Sequence, residues 1–303
     1  MNPAAGVCRF LVVGESLVDV VTRPDGSVSR AVGGSPLNVA VGLARLGVPT
    51  RLVTRIGDDP DGAMVDAHLQ ASGVEVAGGR SPRTSTAVAR LDADGSANYD
   101  FELTWDLPGQ PAPRDVLGLH VGSLGTVLDP GRKAVLDLLA ERPDCLVGYD
   151  PNARPAFVDD PDSAWRVALE VASYTRLVKL SDEDARLLAP GLADREVAEA
   201  LLEAGSDLVV LTRGAEGAEA FTAGQQVQVP GVPVEVADTV GAGDSFTAAL
   251  LAVLVGWGVA HPAGLDADRL VRLTHAAATV AAVTCGRPGA DPPWRSELPE
   301  QWP

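Results

Sequence analysis

Short apolar runs alternate with helix-period segments along most of the chain, and this rhythm restricts the fold more than any other feature. Residues 8–13, 51–56, 116–121, 145–149, 176–180 and 207–211 read as strands. Residues 37–46, 61–72, 130–140, 196–205 and 267–283 read as helices. Strands apolar on both faces and separated by helices belong to buried parallel sheets. Repetition of the unit then calls for an α/β fold, a mostly parallel Rossmann-like sheet with helices on both faces. Ligands bind such sheets beyond the C-terminal edges of the strands, so polar residues just past strand ends are the functional candidates. Two stretches break the rhythm. Residues 18–32 read as two short strands around the turn Pro24-Asp25-Gly26-Ser27, and 84–103 alternate like strands with a turn at Asp94 and Gly95. Paired together they would form a small second sheet. Residues 225–236 read as further strands. No repeat, low-complexity segment or linker divides residues 1–303, which read as one domain.

Charge narrows the partners. The chain of 303 residues carries a net charge of −17, and its lysines are Lys133 and Lys179. Without a basic stripe, nucleic acid and anionic membrane are poor partners. Cys8, Cys145 and Cys285 are scattered among apolar residues with no metal-ligand spacing, which fits reduced thiols and a cytoplasmic protein. No stretch of about 20 residues free of breakers reads as a membrane span.

The stretch ADTVGAGDSFTAALLAVLVGWG, residues 237–258, places Gly241, Ala242 and Gly243 ahead of an apolar helix. Their backbone N–H groups and the helix start can cradle phosphate oxygens. Asp244 stands at the rim of that cradle. It reads either as a helix N-cap or as a base that takes a proton from a hydroxyl attacking a phosphoryl group. In GGSPLNVA, residues 33–40, Ser35 suits an N-cap and Pro36 the first helical position. Gly33 and Gly34 permit close backbone approach by a ligand, and Asn38 can donate to and accept from hydroxyls. Asp19, read alone, is a solvated turn residue. Asp150, Asn152 and Arg154 cluster at a strand end; Arg154 could hold a sugar or phosphate oxygen, or pair at the surface with Asp159 and Asp160. Ser181 reads as an N-cap with an acidic first turn behind it.

DTVGAGDSF together with GGSPLNVA resembles the two signature motifs of the PfkB (ribokinase-like) carbohydrate kinase family, and the similarity runs in order over nearly the whole chain. GESLVDV, GGSPLNVA and DPNAR look most like its fructokinase branch. The resemblance implies a ribokinase-like fold with the small sheet as a lid, whose outer face mediates homodimers in relatives. It implies ATP-dependent phosphorylation of the primary hydroxyl of a free sugar, D-fructose first, with ribose and 2-keto-3-deoxygluconate as alternatives. Asp244 would be the base and Gly241, Ala242 and Gly243 the anion cradle. Asp19, Gly33, Gly34, Asn38, Asp150, Asn152 and Arg154 would hold the sugar. Ser181 and the Thr212-x-Gly214-x-x-Gly217 loop would face the nucleotide, with His275 or Ala278 lining the adenine pocket. Where the family shows Asn-x-x-Glu this chain has Ser181 and Asp184, a departure that leaves Asp184 to hold a magnesium-bound water. Asp238, Val240, Thr284 and Gly289 match the region where relatives bind potassium.

Two other classes compete with that reading. A kinase of adenosine, a sugar acid or a sugar phosphate would share the motifs, although a phosphorylated substrate needs its own cations, and no Lys/Arg cluster lies near the sugar motifs. A non-catalytic sugar or nucleotide sensor would share the fold, but would have no reason to keep Gly241, Gly243 and Asp244 intact.

Overall fold

The computed structural model describes residues 9–91, 97–107, 116–141 and 144–303; Cys8 and the turn at Asp94 and Gly95 lie outside them. The chain forms β1 (Arg9–Val13), β2 (Leu17–Thr22), β3 (Val28–Gly33), α1 (Ser35–Arg45), β4 (Thr50–Gly57), α2 (Pro60–Ala71), β5 (Glu75–Ser81), β6 (Ser85–Leu91) and β7 (Ala97–Glu102). It continues through β8 (Val116–Gly122), α3 (Gly131–Ala140), β9 (Val147–Asp150), α4 (Pro161–Ala172), β10 (Leu177–Ser181), α5 (Asp182–Leu188), α6 (Asp194–Ala204) and β11 (Leu208–Thr212). Last come β12 (Ala218–Phe221), β13 (Gln226–Val229), α7 (Ala242–Gly256) and α8 (Ala267–Cys285).

A nine-stranded sheet runs in the order β13-β12-β11-β10-β9-β8-β1-β4-β5. Pairing is parallel from β11 to β5, and β12 and β13 add an antiparallel edge. Alternation along each strand feeds two cores. Phe10 and Val12 of β1 pack with α1, α2, α7 and α8, whereas Leu11 and Val13 pack with α3 to α6 on the other face. The α/β class read from the sequence is therefore the fold. A separate four-stranded sheet, β3-β2-β6-β7, joins the 17–33 hairpin to the strands after residue 84, with β2 and β6 parallel. No helix among the described residues is long and apolar enough to cross a membrane.

Residues 230–241 contain no strand, contrary to the reading of 225–236. Pro230, Gly231 and Pro233 interrupt the ladder, since proline has no N–H to donate and glycine weakens a strand interior.

Helices α1 and α7 approach closely. A Cβ on Gly42 would stand 2.7 Å from Ala248 Cβ, so glycine at 42 lets the bodies of the two helices pack closely. Both starts lie at the C-terminal edge of the sheet, and the polar residues of each point at those of the other.

Candidate active site

Beyond that edge lies a cleft of about 1040 Å³, reaching from β2, α1 and the small sheet, past the start of α7, to α8. Asp244 sits at its centre, 7% exposed. The Ser35 hydroxyl donates to its Oδ1 at 2.6 Å, and Asn38 Nδ2 donates to its Oδ2 at 2.8 Å. Asn152 Nδ2 adds a longer contact to Oδ1 at 3.4 Å. Two segments distant from it in sequence, the start of α1 and the turn after β9, thus fix the plane of one carboxylate.

Neither α1 nor α7 is capped by its candidate side chain. Asp244 is not an N-cap: α7 starts at Ala242, and its cap is Gly241 in the left-handed region at φ 74°. A side chain at 241 would be strained and would place Cβ 2.5 Å from Ala290 Cβ. Ser35 is not an N-cap either, because α1 begins at Ser35 itself after Gly34, and the hydroxyl turns to Asp244 instead. In the first turn of α7, Ala242 N–H donates to Thr239 O at 3.2 Å. The N–H groups of Gly243 and Asp244 have no acceptor among the described residues, leaving two donors of the helix start for an anion.

At the α1 end, Asp19 is half-buried and lines the cleft. Burial raises its pKa while the facing Arg154 guanidinium lowers it. Gly33 does not line the cleft; a Cβ there would lie 2.2 Å from Asp19 Oδ2, so glycine makes room for that carboxylate. Gly34, Asn38, Asn152 and Arg154 line the cleft. Arg154 forms no ion pair with Asp159 or Asp160; it donates to Asn152 Oδ1 at 2.5 Å and faces Asp19 and Glu15.

Asp150 departs from its expected role. It is fully buried, outside the cleft lining, and engaged on both oxygens. Oδ1 accepts Asn152 N–H at 3.1 Å, which holds Asn152 in the left-handed region at φ 39°. Oδ2 accepts Lys179 Nζ at 3.1 Å and the Thr247 hydroxyl at 3.0 Å. A carboxylate so enclosed ties β9, β10 and α7 together and does not reach a ligand.

At the other end, Ser181, Thr212, Gly214, Gly217 and Ala278 line the cleft, whereas His275 is exposed and does not. Of that pair, Ala278 is the one that faces the cleft. Ser181 caps α5 with Asp184 in a capping box. Asp184 Oδ2 accepts the Ser181 N–H at 2.8 Å and its hydroxyl at 2.6 Å, and Oδ1 accepts Ala153 N–H at 2.7 Å. Val240 lines the cleft; Asp238, Thr284 and Gly289 do not. Asp238 accepts Val240 N–H at 3.0 Å and Gly289 N–H at 2.9 Å. The fully buried Thr284 hydroxyl donates to Ser245 Oγ at 2.9 Å. No group of three or more His, Cys, Asp or Glu among the described residues could hold a metal directly.

The sequence reading passed over Glu15 and Lys179, both in the cleft lining. Each had a signal: Glu15 follows the strand-ending Gly14, and Lys179 interrupts an apolar strand. Glu15 is 5% exposed and accepts Gly125 N–H at 3.1 Å. Burial lifts its pKa from 4.5 to about 7, against opposing hydrogen bonds and Arg154. The folded protein therefore keeps Glu15 protonated in a range where the unfolded chain ionises it. The stability this gives is complete below pH 4.5 and is lost as pH rises through 7, a change of about 3 kcal/mol. Glu15→Gln is expected to melt close to wild type near pH 5 and several degrees above it near pH 8.5. Thermal melts at the two pH values check this, and an offset equal at both would contradict the burial argument.

The model of the pfkB family carbohydrate kinases matches residues 9–296. The chain belongs to the pfkB family of carbohydrate kinases. It is a sugar kinase, a phosphotransferase with an alcohol group as acceptor. It is 35% identical to a fructokinase of Rhizobium leguminosarum bv. trifolii over 260 residues, covering 81% of this chain and 79% of that one. With a probable fructokinase-4 of Arabidopsis thaliana it shares 30% over 308 residues, covering 94% of both. Among solved structures, the fructokinase of Vibrio cholerae O395 in its fructose-, ADP- and calcium-bound form superposes with a TM-score of 0.79 at 27% identity, covering 93% of this chain and 94% of that one. The ATP-bound fructokinase of Xylella fastidiosa has the same fold, with a TM-score of 0.81 at 24% identity over 96% of this chain and 95% of that one.

Proposed function

We propose that the protein phosphorylates the primary hydroxyl of D-fructose with ATP. The observation that carries this is the carboxylate of Asp244, fixed by Ser35 and Asn38 at the start of α7 beside the free N–H groups of Gly243 and Asp244. Asp244 takes the proton of the sugar hydroxyl as its oxygen forms the new bond to the γ-phosphorus. The bond from that phosphorus to the bridging oxygen breaks, and ADP leaves with its electron pair. The helix-start amides offset negative charge on the transferring phosphoryl group. Asp19, Gly34, Asn38, Asn152 and Arg154 hold the sugar. The four-stranded sheet, whose Leu17, Ala87 and Phe101 line the cleft, closes over it as a lid. Thr212, Gly214, Gly217 and Ala278 face the nucleotide. Ribose and 2-keto-3-deoxygluconate are the competing acceptors, and two fructokinases among the most similar relatives favour fructose over them.

Magnesium, when bound, would offset the negative charge of the phosphates. Asp184, with protein donors on both oxygens, fits acceptance from a metal-bound water and does not fit direct ligation. Potassium would sit by Asp238 and the backbone near Val240, Thr284 and Gly289, where it would tune the α7 anion cradle.

A coupled assay with ATP against a sugar panel tests this. Fructose is expected to give the highest kcat/KM, with no turnover without a divalent ion and faster turnover in potassium than in sodium. Another sugar outrunning fructose would move the substrate, and equal rates in the two salts would remove the potassium site.

A further inference from the structure

Lys179 stands on β10 with its Nζ at the foot of the anion cradle. A Cβ on Gly243 would lie 3.0 Å from that nitrogen, so the ammonium touches the first turn of α7. An ammonium carries three N–H donors. One goes to Asp150 Oδ2 at 3.1 Å, and the described residues supply no acceptor for the other two. The residue is 4% exposed, and it lines the cleft. Asp150 is itself held by Thr247 of α7, so the position of the ammonium relative to the cradle is set from both sides.

Charge says why a cation belongs there. Asp150, Asp184 and Asp244 converge on this point, and a triphosphate entering the cleft adds more negative charge. Among the described lining residues the cations are Arg154, facing Asp19 and Glu15, and Lys179, beside Gly243. Burial works against the ammonium, but the three carboxylates outweigh it and keep Lys179 protonated. A buried ion pair made only for stability is a poor investment compared with apolar packing, and this one leaves two donors aimed at the site.

We propose that Lys179 is a catalytic residue whose ammonium donates to the oxygens of the transferring phosphoryl group, completing the cradle begun by the N–H groups of Gly243 and Asp244. This rests on the reading of the cleft as a phosphoryl-transfer site. Lysine acts here as a point charge, with Asp150 and Thr247 as the positioning residues that aim it.

The test separates catalysis from support. Lys179→Met alone strands the buried Asp150 carboxylate and lowers the melting temperature, whatever else Lys179 does. The double variant Lys179→Met/Asp150→Asn removes both charges and is expected to recover most of that melting temperature. In the double variant kcat is expected to remain down about 10²- to 10³-fold, the scale of losing one donor to a developing charge, with sugar KM changed by less than about fivefold. Its affinity for ADP alone should hold, while that for ADP with aluminium fluoride, a mimic of the phosphoryl in transfer, falls by a factor similar to kcat. Recovery of kcat together with the melting temperature, or unchanged affinity for the aluminium fluoride complex, would overturn the proposal. Should the wild type phosphorylate no sugar, the kinase reading fails separately, and the binding comparison still decides whether Lys179 recognises the transferring group.

Discussion

Asp244→Asn is expected to lower kcat by about 10²- to 10⁴-fold while ATP still binds, the range in which general-base catalysis falls when the base is lost. The amide keeps the size of the side chain and can still accept from the Ser35 hydroxyl or from Asn38 Nδ2, the donors that hold the carboxylate. It cannot take a proton. The backbone N–H groups of the α7 start are untouched, so the affinity for nucleotide should change little. Capping offers no competing explanation, because Gly241 caps α7 and Asp244 makes no capping bond. Any structural cost comes from turning one N–H of the amide toward a donor, and a melting curve measures it independently of kcat.

Asp19→Ala is expected to act on the sugar. The Asp19 carboxylate lines the cleft opposite Arg154, in the space that glycine at 33 leaves for it. Hydrogen bonds to a charged group contribute about 1.5–3 kcal/mol each, so losing two hydroxyl partners should raise sugar KM by about 10²-fold or more. The KM for ATP should stay within a few-fold, since Asp19 lies at the α1 end of the cleft and the loop proposed to face the nucleotide, Thr212 to Gly217, at the other. Steady-state kinetics with each substrate varied in turn check the split. A rise in ATP KM as large as that for sugar would place Asp19 outside the sugar site.

The sequence showed the fold class because buried parallel strands and their helices carry local, periodic patterns. Even there, β5 (Glu75–Ser81) was missed, since its glycines at 78 and 79 disguise a strand that pairs with β4 over its whole length. Helix α4 was also passed over, although Asp160 followed by Pro161 is a sound helix start, and Asp160 does accept Ser163 N–H. The site was legible where a residue acts through its own backbone or faces the cleft directly, as with Gly34, Asn38 and Gly241. It was illegible where the partner is remote. Ser35 looked like a cap because its real acceptor, Asp244, lies 209 residues away. Asp150 looked like a ligand because neither Lys179 nor Thr247 is near it in sequence. Polar residues at a sheet edge divide between ligand and scaffold only when the helices above them are placed.

The central claim is that Asp244 takes the proton as the γ-phosphoryl group passes to the sugar, and single-turnover rapid quench measures that passage without product release. With enzyme in excess over γ-labelled ATP and saturating fructose, the wild type is expected to form labelled sugar phosphate in one fast phase. The folded Asp244→Asn variant should bind the same ATP and transfer its label about 10²-fold more slowly or worse. Transfer by that variant at the wild-type rate would contradict the account.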